Sequence, residues 1–175
     1  MNSFQNGWHV LYVKSKHEKK VSNALDDLSI ESYLPLVKTI RKWKDRKKII
    51  FQPLFTSYIF VNLKSSLDSY KALTVNGACA YIRFGKEYAK VSDLEINKIK
   101  LLLNADDVSG IETNTALPKV GETKKINYGA LTGLECVVLK VNNINKIIVR
   151  INSLQQNIIA TLPNYYFSEE ILKVS

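Results

Sequence analysis

The hydrophobic and polar positions of the chain follow two successive patterns, with a change near residue 104. Residues 8–13, Trp-His-Val-Leu-Tyr-Val, form a compact aromatic and β-branched run that reads as a buried strand. A helix should follow. Ser15 and Glu18 have capping-box spacing, and Val21, Ala24, Leu25 and Leu28 recur at i, i+3, i+4 and i+7. That stripe leaves Lys16, Lys19, Lys20 and Asn23 toward solvent. Residues 33–40, 47–51 and 57–63 read as strands, with Lys44-Asp45-Arg46 as a turn and Pro53, which has no amide proton to donate, as a break. Helical spacing returns at Leu67, Tyr70, Leu73 and Thr74 and stops at Asn76-Gly77. Residues 81–84 form one more strand, closed by Gly85. Ser92 and Glu95 then repeat the capping-box spacing ahead of Ile96, Ile99, Leu102 and Leu103. The order strand, helix, three strands, helix, strand, helix predicts an α+β unit with helices packed on an antiparallel sheet.

Residues 105–117 lack periodicity and are rich in Asp, Ser, Thr and Asn, which predicts a linker. Beyond Pro118 the pattern is almost purely β, at residues 124–128, 134–141, 146–151 and 158–162. Gly129, Gly133 and Asn142-Asn143 punctuate it. Short strands at close spacing predict a small β-barrel. The expected organisation is therefore an α+β domain over residues 1–104, a linker over 105–117 and a barrel over 118–175.

Charge sharpens this division. The 175 residues carry a net charge of +9, and residues 1–104 hold 18 basic against 9 acidic side chains while residues 105–175 hold seven of each. A cationic excess confined to one domain favours a polyanionic partner there. The apolar stretch 49–63 is short and broken by Gln52, Pro53, Thr56 and Ser57, so no membrane span is expected. Residues 1–7 lack the layout of a secretory signal, which predicts a cytoplasmic protein. Cys79 and Cys136 are far apart and only two histidines are present, so two buried thiols are expected, with no disulfide and no metal site. No phosphate-binding loop and no carboxylate cluster occurs, so an enzyme and a cofactor are not expected. A monomer is expected.

One segment concentrates charge. Lys38, Arg41, Lys42, Lys44, Arg46, Lys47 and Lys48 put seven cations within eleven residues, with Trp43 among them and only Asp45 opposing. Strand parity groups Lys38, Lys42, Lys44 and Arg46 on one face. Such a hairpin can reach DNA, with Trp43 stacking on a base or sugar, or can be a charged edge that prevents strand pairing between chains.

Three stretches carry a family resemblance: residues 7–16, Gly-Trp-His-Val-Leu-Tyr-Val-Lys-Ser-Lys, before a basic amphipathic helix; residues 52–61, Gln-Pro-Leu-Phe-Thr-Ser-Tyr-Ile-Phe-Val; and residues 81–85, Tyr-Ile-Arg-Phe-Gly. Together they resemble the N-terminal domain of the NusG transcription elongation factors. The middle stretch is especially similar to the specialised paralogs of the RfaH and UpxY type. Residues 120–138 resemble the KOW motif that follows in that family. The resemblance implies a non-enzymatic factor whose N-terminal domain docks on the clamp helices of RNA polymerase and suppresses pausing or termination. Matched position by position, it assigns Tyr12, Phe55, Tyr58, Phe84 and Ile99 to an aromatic-lined recess for the clamp tip. Phe55, near a proline in a loop, is expected at the surface, while Tyr12 and Phe84 suit either recess or core. Lys14, His17 and Lys20, with Asn76 across a groove and Lys16 and Lys19 beside them, match positions that touch the non-template DNA strand; a solvated helix face is the alternative. Asp68-Ser69-Tyr70 matches a contact on the other side of the polymerase cleft, without the His-Thr-Thr triplet of some specialised members. The barrel would recruit Rho or ribosomal protein S10, although Cys136 stands where the motif usually has Gly. The expected function is operon-specific antitermination. The alternatives are a general elongation factor of the same family and an RNA-binding, ribosome-associated KOW protein.

Overall fold

The computed structural model describes residues 6–43, 45–116, 121–141 and 143–167. Its first part runs β1 (Gly7–Val13), α1 (Glu18–Asp27), β2 (Ser32–Tyr33), β3 (Leu36–Lys42), β4 (Lys47–Pro53), β5 (Tyr58–Leu63), α2 (Ser66–Thr74), β6 (Ala78–Tyr81), β7 (Arg83–Phe84), β8 (Glu87–Tyr88), β9 (Lys90–Val91) and α3 (Asp93–Asn104). The second part adds β10 (Ser109–Asn114), β11 (Glu122–Lys125), β12 (Glu135–Val141), β13 (Ile144–Ile151) and β14 (Gln156–Leu162). The α+β class holds, with two expected strands each broken in two. Residues 33–40 split into β2 and β3 at Leu34-Pro35, because Pro35 cannot donate to a ladder. The chain divides into two compact units, Met1–Asn97 with Asn152–Leu154 and Lys98–Ile151 with Gln155–Ser175, so the division falls inside α3.

In the first unit β1 is central because its residues from Trp8 to Leu11 are buried on both faces. It pairs antiparallel with β5 on one side and β6 on the other, and β9 joins its first residues. One face of this sheet supplies Leu11, Val13, Ile59, Val61 and Leu63 to a core shared with Val21 and Leu25 of α1 and Ala72 beside α2's end. Side-chain alternation sends Val10, Tyr12, Tyr58 and Phe60 to the opposite face. Strands β3 and β4 form a separate two-stranded ribbon, as do β7 and β8.

The expected capping box at Ser15 and Glu18 does not form. His17 occupies the N-cap without a side-chain capping bond, and the buried Glu18 carboxylate instead accepts the Ser57 amide at 2.9 Å. Ser57 sits at φ 66, in a tight turn whose amide would otherwise be buried unpaired, and its carbonyl accepts from the Val13 amide at 2.9 Å. Glu18 thus fixes the turn that delivers Tyr58 opposite Tyr12. Helix α1 ends with Ser29 in the left-handed region at φ 57, the Ile30 amide bonding Leu25 O and the Ser29 amide bonding Asp26 O. This is a Schellman closure with serine at the position glycine usually takes. The second capping box does form: Glu95 N–H donates to Ser92 Oγ at 3.2 Å and Ser92 N–H to Glu95 Oε2 at 3.1 Å. Helix α2 has its own cap, Ser65 Oγ accepting from the Asp68 amide. It buries only Ala72, and Leu67, Tyr70 and Leu73 face solvent.

In the second unit the strands lie in the order β10-β14-β13-β12-β11, all antiparallel. The expected small barrel is built from this one five-stranded antiparallel sheet. Ile126, Leu131, Leu134, Cys136, Ile147, Val149, Ile158 and Leu162 are buried in this unit. The stretch read as a linker contains β10, whose Glu112, Thr113 and Asn114 pair with Ile159, Ile158 and Asn157. Backbone pairing with the β14 edge overrides the polar composition there. Leu117 and Pro118 lie outside the described residues. Cys136 is buried, which pushes its thiol up to about 11, whereas Cys79 is exposed on the edge strand β6, contrary to the expectation of two buried thiols.

Candidate functional site

Tyr12 and Tyr58 are directly paired across β1 and β5, with ring centroids 5.9 Å apart. Behind them on the same face Phe60 is fully buried, with Phe55 edge-on to it at 5.9 Å and Tyr33 stacked on it at 6.2 Å. The aromatic layer reaches solvent at its Tyr12 end, where Tyr12 is 42% exposed and Tyr58 half-buried. Phe84 is also exposed, on the β7–β8 ribbon, which is tied to β1 through the Ile82 amide and Val10 O at 2.9 Å. Arg83 lies over the Tyr88 ring at 4.3 Å and stiffens that ribbon. Two expected recess residues are not exposed. Phe55 is 1% exposed and Ile99 fully buried, so both are packing residues. Phe55 follows Pro53 in sequence, but the turn held by Glu18 folds its ring inward under Phe60.

The cationic residues gather at the next corner of the same unit. The Lys14 amide donates to Gly77 O at 2.8 Å, which sets the chain beyond β1 against the turn before β6. Gly77 suits this position. Its φ is 107, and a Cβ would lie 3.0 Å from Val21 Cγ2 and 3.2 Å from His17 Cβ. This contact brings Lys14 and His17 beside Asn76. Lys14, Lys16, Lys19, Lys20 and Asn76 are exposed and His17 is half-buried. Lys19 Nζ also donates to Phe51 O at 2.9 Å, tying α1 to the base of the β3–β4 ribbon. Gly77→Ala is expected to cost about 1–3 kcal/mol through backbone strain and crowding of His17, read as a lowered Tm together with displaced NMR signals of the His17 ring. An unchanged Tm would remove this explanation of the corner.

On the ribbon, Arg41, Lys42 and Trp43 are exposed, and Lys44 lies outside the described residues. The register pairs Lys42 with Lys47 and Arg41 with Lys48. Arg46 therefore falls with Arg41 and Lys48, not with Lys38 and Lys42 as a parity count carried through the turn suggested. Ser69 and Tyr70 lie on α2. Tyr70 is 68% exposed, while Ser69 is half-buried and its carbonyl accepts the Tyr81 hydroxyl at 2.9 Å. Burial pushes the Tyr81 phenol up to about 12, so it acts as a donor in this bond. Sequence reading missed the outward turn of Leu67 and Leu73, because spacing shows that residues share a face without showing which way that face looks.

Among the described residues no group of three or more His, Cys, Asp and Glu side chains could hold a metal ion. No helix of the described residues is long and apolar enough to cross a membrane. No curated protein gives a significant match to the chain. Among solved structures, one on domain interaction in Thermotoga maritima NusG superposes with a TM-score of 0.51 at 19% identity, covering 90% of this chain and 94% of that one. The likeness is one of fold. A conformation of the MjSpt4:Spt5 complex gives a TM-score of 0.34 at 10% identity, over 83% of this chain and 86% of that one. Residues 6–100 match the family model described as NusG, transcription termination factor nusG; this spans more than half of the chain, which therefore belongs to the NusG family.

Proposed function

We propose that this NusG-family chain binds transcribing RNA polymerase through Tyr12, Tyr58 and Phe84, with Tyr70 as a second contact, and steadies the non-template DNA strand through Lys14, Lys16, His17, Lys19, Lys20 and Asn76. The observation that carries this reading is the adjacency of two chemistries. Tyr12 and Lys14 are both exposed and flank the buried Val13, so an aromatic contact and a phosphate contact stand two residues apart in the chain. A factor placed this way can hold protein and nucleic acid at once. It needs no catalysis: binding the processive conformation better than the paused one shifts the population, and a coupling of about 1–3 kcal/mol gives a 5- to 150-fold change. The finer proposal is antitermination on particular operons, with the clamp helices as the polymerase contact and Rho or ribosomal protein S10 as partner of the second unit.

In vitro transcription across a terminator, with and without the protein and with the upstream leader varied, tests this. Readthrough that depends on one leader supports the specialised role, and readthrough on every leader replaces it with a general one. Termination unaffected on all leaders sinks the proposal. The DNA contact has its own readout. In Lys14→Ala/Lys20→Ala the log–log salt slope of single-strand DNA binding should flatten by about 1.4, two lost phosphate contacts at ~0.7 each. An unchanged slope returns these lysines to a solvated helix face.

A further inference from the structure

The β3–β4 ribbon has two unlike faces. On one, Arg41 and Lys48 oppose each other beyond the half-buried Val37, Thr39, Ile50 and Gln52. On the other, the pairs Lys38–Phe51, Ile40–Ile49 and Lys42–Lys47 stack along the ribbon from base to tip. This second face is fully outward: Ile40 is 60% exposed, Ile49 53% and Phe51 52%. Three large apolar side chains in a row on a free ribbon are not what a protective charged edge requires, since lysines alone would serve that purpose. Duplex or single-stranded nucleic acid explains the cations but leaves two β-branched aliphatics without a stacking partner. Exposed apolar groups grouped in one patch mark a protein contact.

The occupant is constrained by charge. Lys38, Lys42 and Lys47 flank the apolar row, and none forms an ion pair among the described residues. A second copy of this chain seated on the same face would set these lysines against their own kind, which disfavours self-association. We propose that this face docks an acidic protein surface of the elongation complex, an apolar patch ringed by carboxylates, while Arg41 and Trp43 on the other side remain available to DNA. The inference rests on the reading that the chain binds transcribing polymerase. It adds a further, separate protein contact, held in place at its base by the Lys19–Phe51 bond.

A photo-crosslinking amino acid placed singly at position 49 and at position 12, in the full chain bound to an elongation complex assembled on a nucleic-acid scaffold, tests it. Position 49 is expected to capture a polymerase peptide rich in Asp and Glu. Ile40→Ser/Ile49→Ser is expected to bind the complex about tenfold more weakly, with crosslinking of position 43 to DNA unchanged. Both side chains are exposed, so the folded state should persist, as circular dichroism would verify. Capture of DNA by position 49 overturns the proposal, as does unchanged affinity of the double variant. So does sedimentation of the unmodified chain with phosphatidylserine vesicles when position 49 captures no protein. If position 12 captures polymerase and position 49 captures nothing, the ribbon proposal fails alone; if neither captures polymerase, the polymerase reading fails with it.

Discussion

Tyr12→Ala/Tyr58→Ala is expected to bind core RNA polymerase at least about thirtyfold more weakly than the parent chain, because two paired aromatics at the centre of an interface cost about 2 kcal/mol or more when truncated. At this pair the aromatic face of the first sheet reaches solvent, with Tyr12 42% exposed. Tyrosine suits such a contact, since it offers a large rigid surface with only two torsions to freeze. The backbone beneath is held independently of the rings, by the Val13 amide on Ser57 O and the Ser57 amide on Glu18. The loss should therefore appear in affinity with little change in Tm. Fluorescence anisotropy with labelled chain and polymerase measures it, and wild-type affinity in a folded double variant would remove these residues from the contact.

Phe55→Ala should behave in the opposite way. Its ring is fully buried against Phe60, and removing a buried phenylalanine costs about 3–5 kcal/mol in lost transfer energy and cavity formation. Small domains have only about 5–15 kcal/mol of stability, so this one change brings the first unit close to unfolding. Taking ~4–8 °C per kcal/mol for a unit of about 100 residues, Tm should fall by more than about 12 °C. Phe84→Ala, at an exposed position, should move Tm hardly at all. Equal shifts for Phe55→Ala and Phe84→Ala would contradict the division between packing and contact residues drawn here.

The comparison of these two phenylalanines shows what was legible beforehand. Phe55 and Tyr58 stand three residues apart around a turn, and their roles separate only because Ser57 takes a positive φ and Glu18 reaches across from α1 to hold it. The pairing Ser15 with Glu18 has the same spacing as Ser92 with Glu95, yet only the second forms a capping box. A spacing rule records which bonds are possible locally. It does not weigh them against a competitor 39 residues away in the chain. The ending of α1 was obscured for a related reason, since serine took the left-handed position normally signalled by glycine.

What the sequence determined by itself was the order of the three helices and the longer strands, the α+β class, the concentration of positive charge in the first 104 residues and the family to which the chain belongs. These depend on periodicity, composition and local motif, which act over a few residues. The tertiary structure decided which faces look outward: Tyr12 and Tyr58 as the open end of an aromatic layer, Phe55 and Ile99 as core, Leu67 and Tyr70 turned to solvent, β10 recruited as a strand, and one ribbon face on which Ile40, Ile49 and Phe51 stand exposed among lysines. Periodicity fixes which side chains travel together. Only packing against distant segments, through burial and through satisfying each buried amide, selects which side of them is left for a partner.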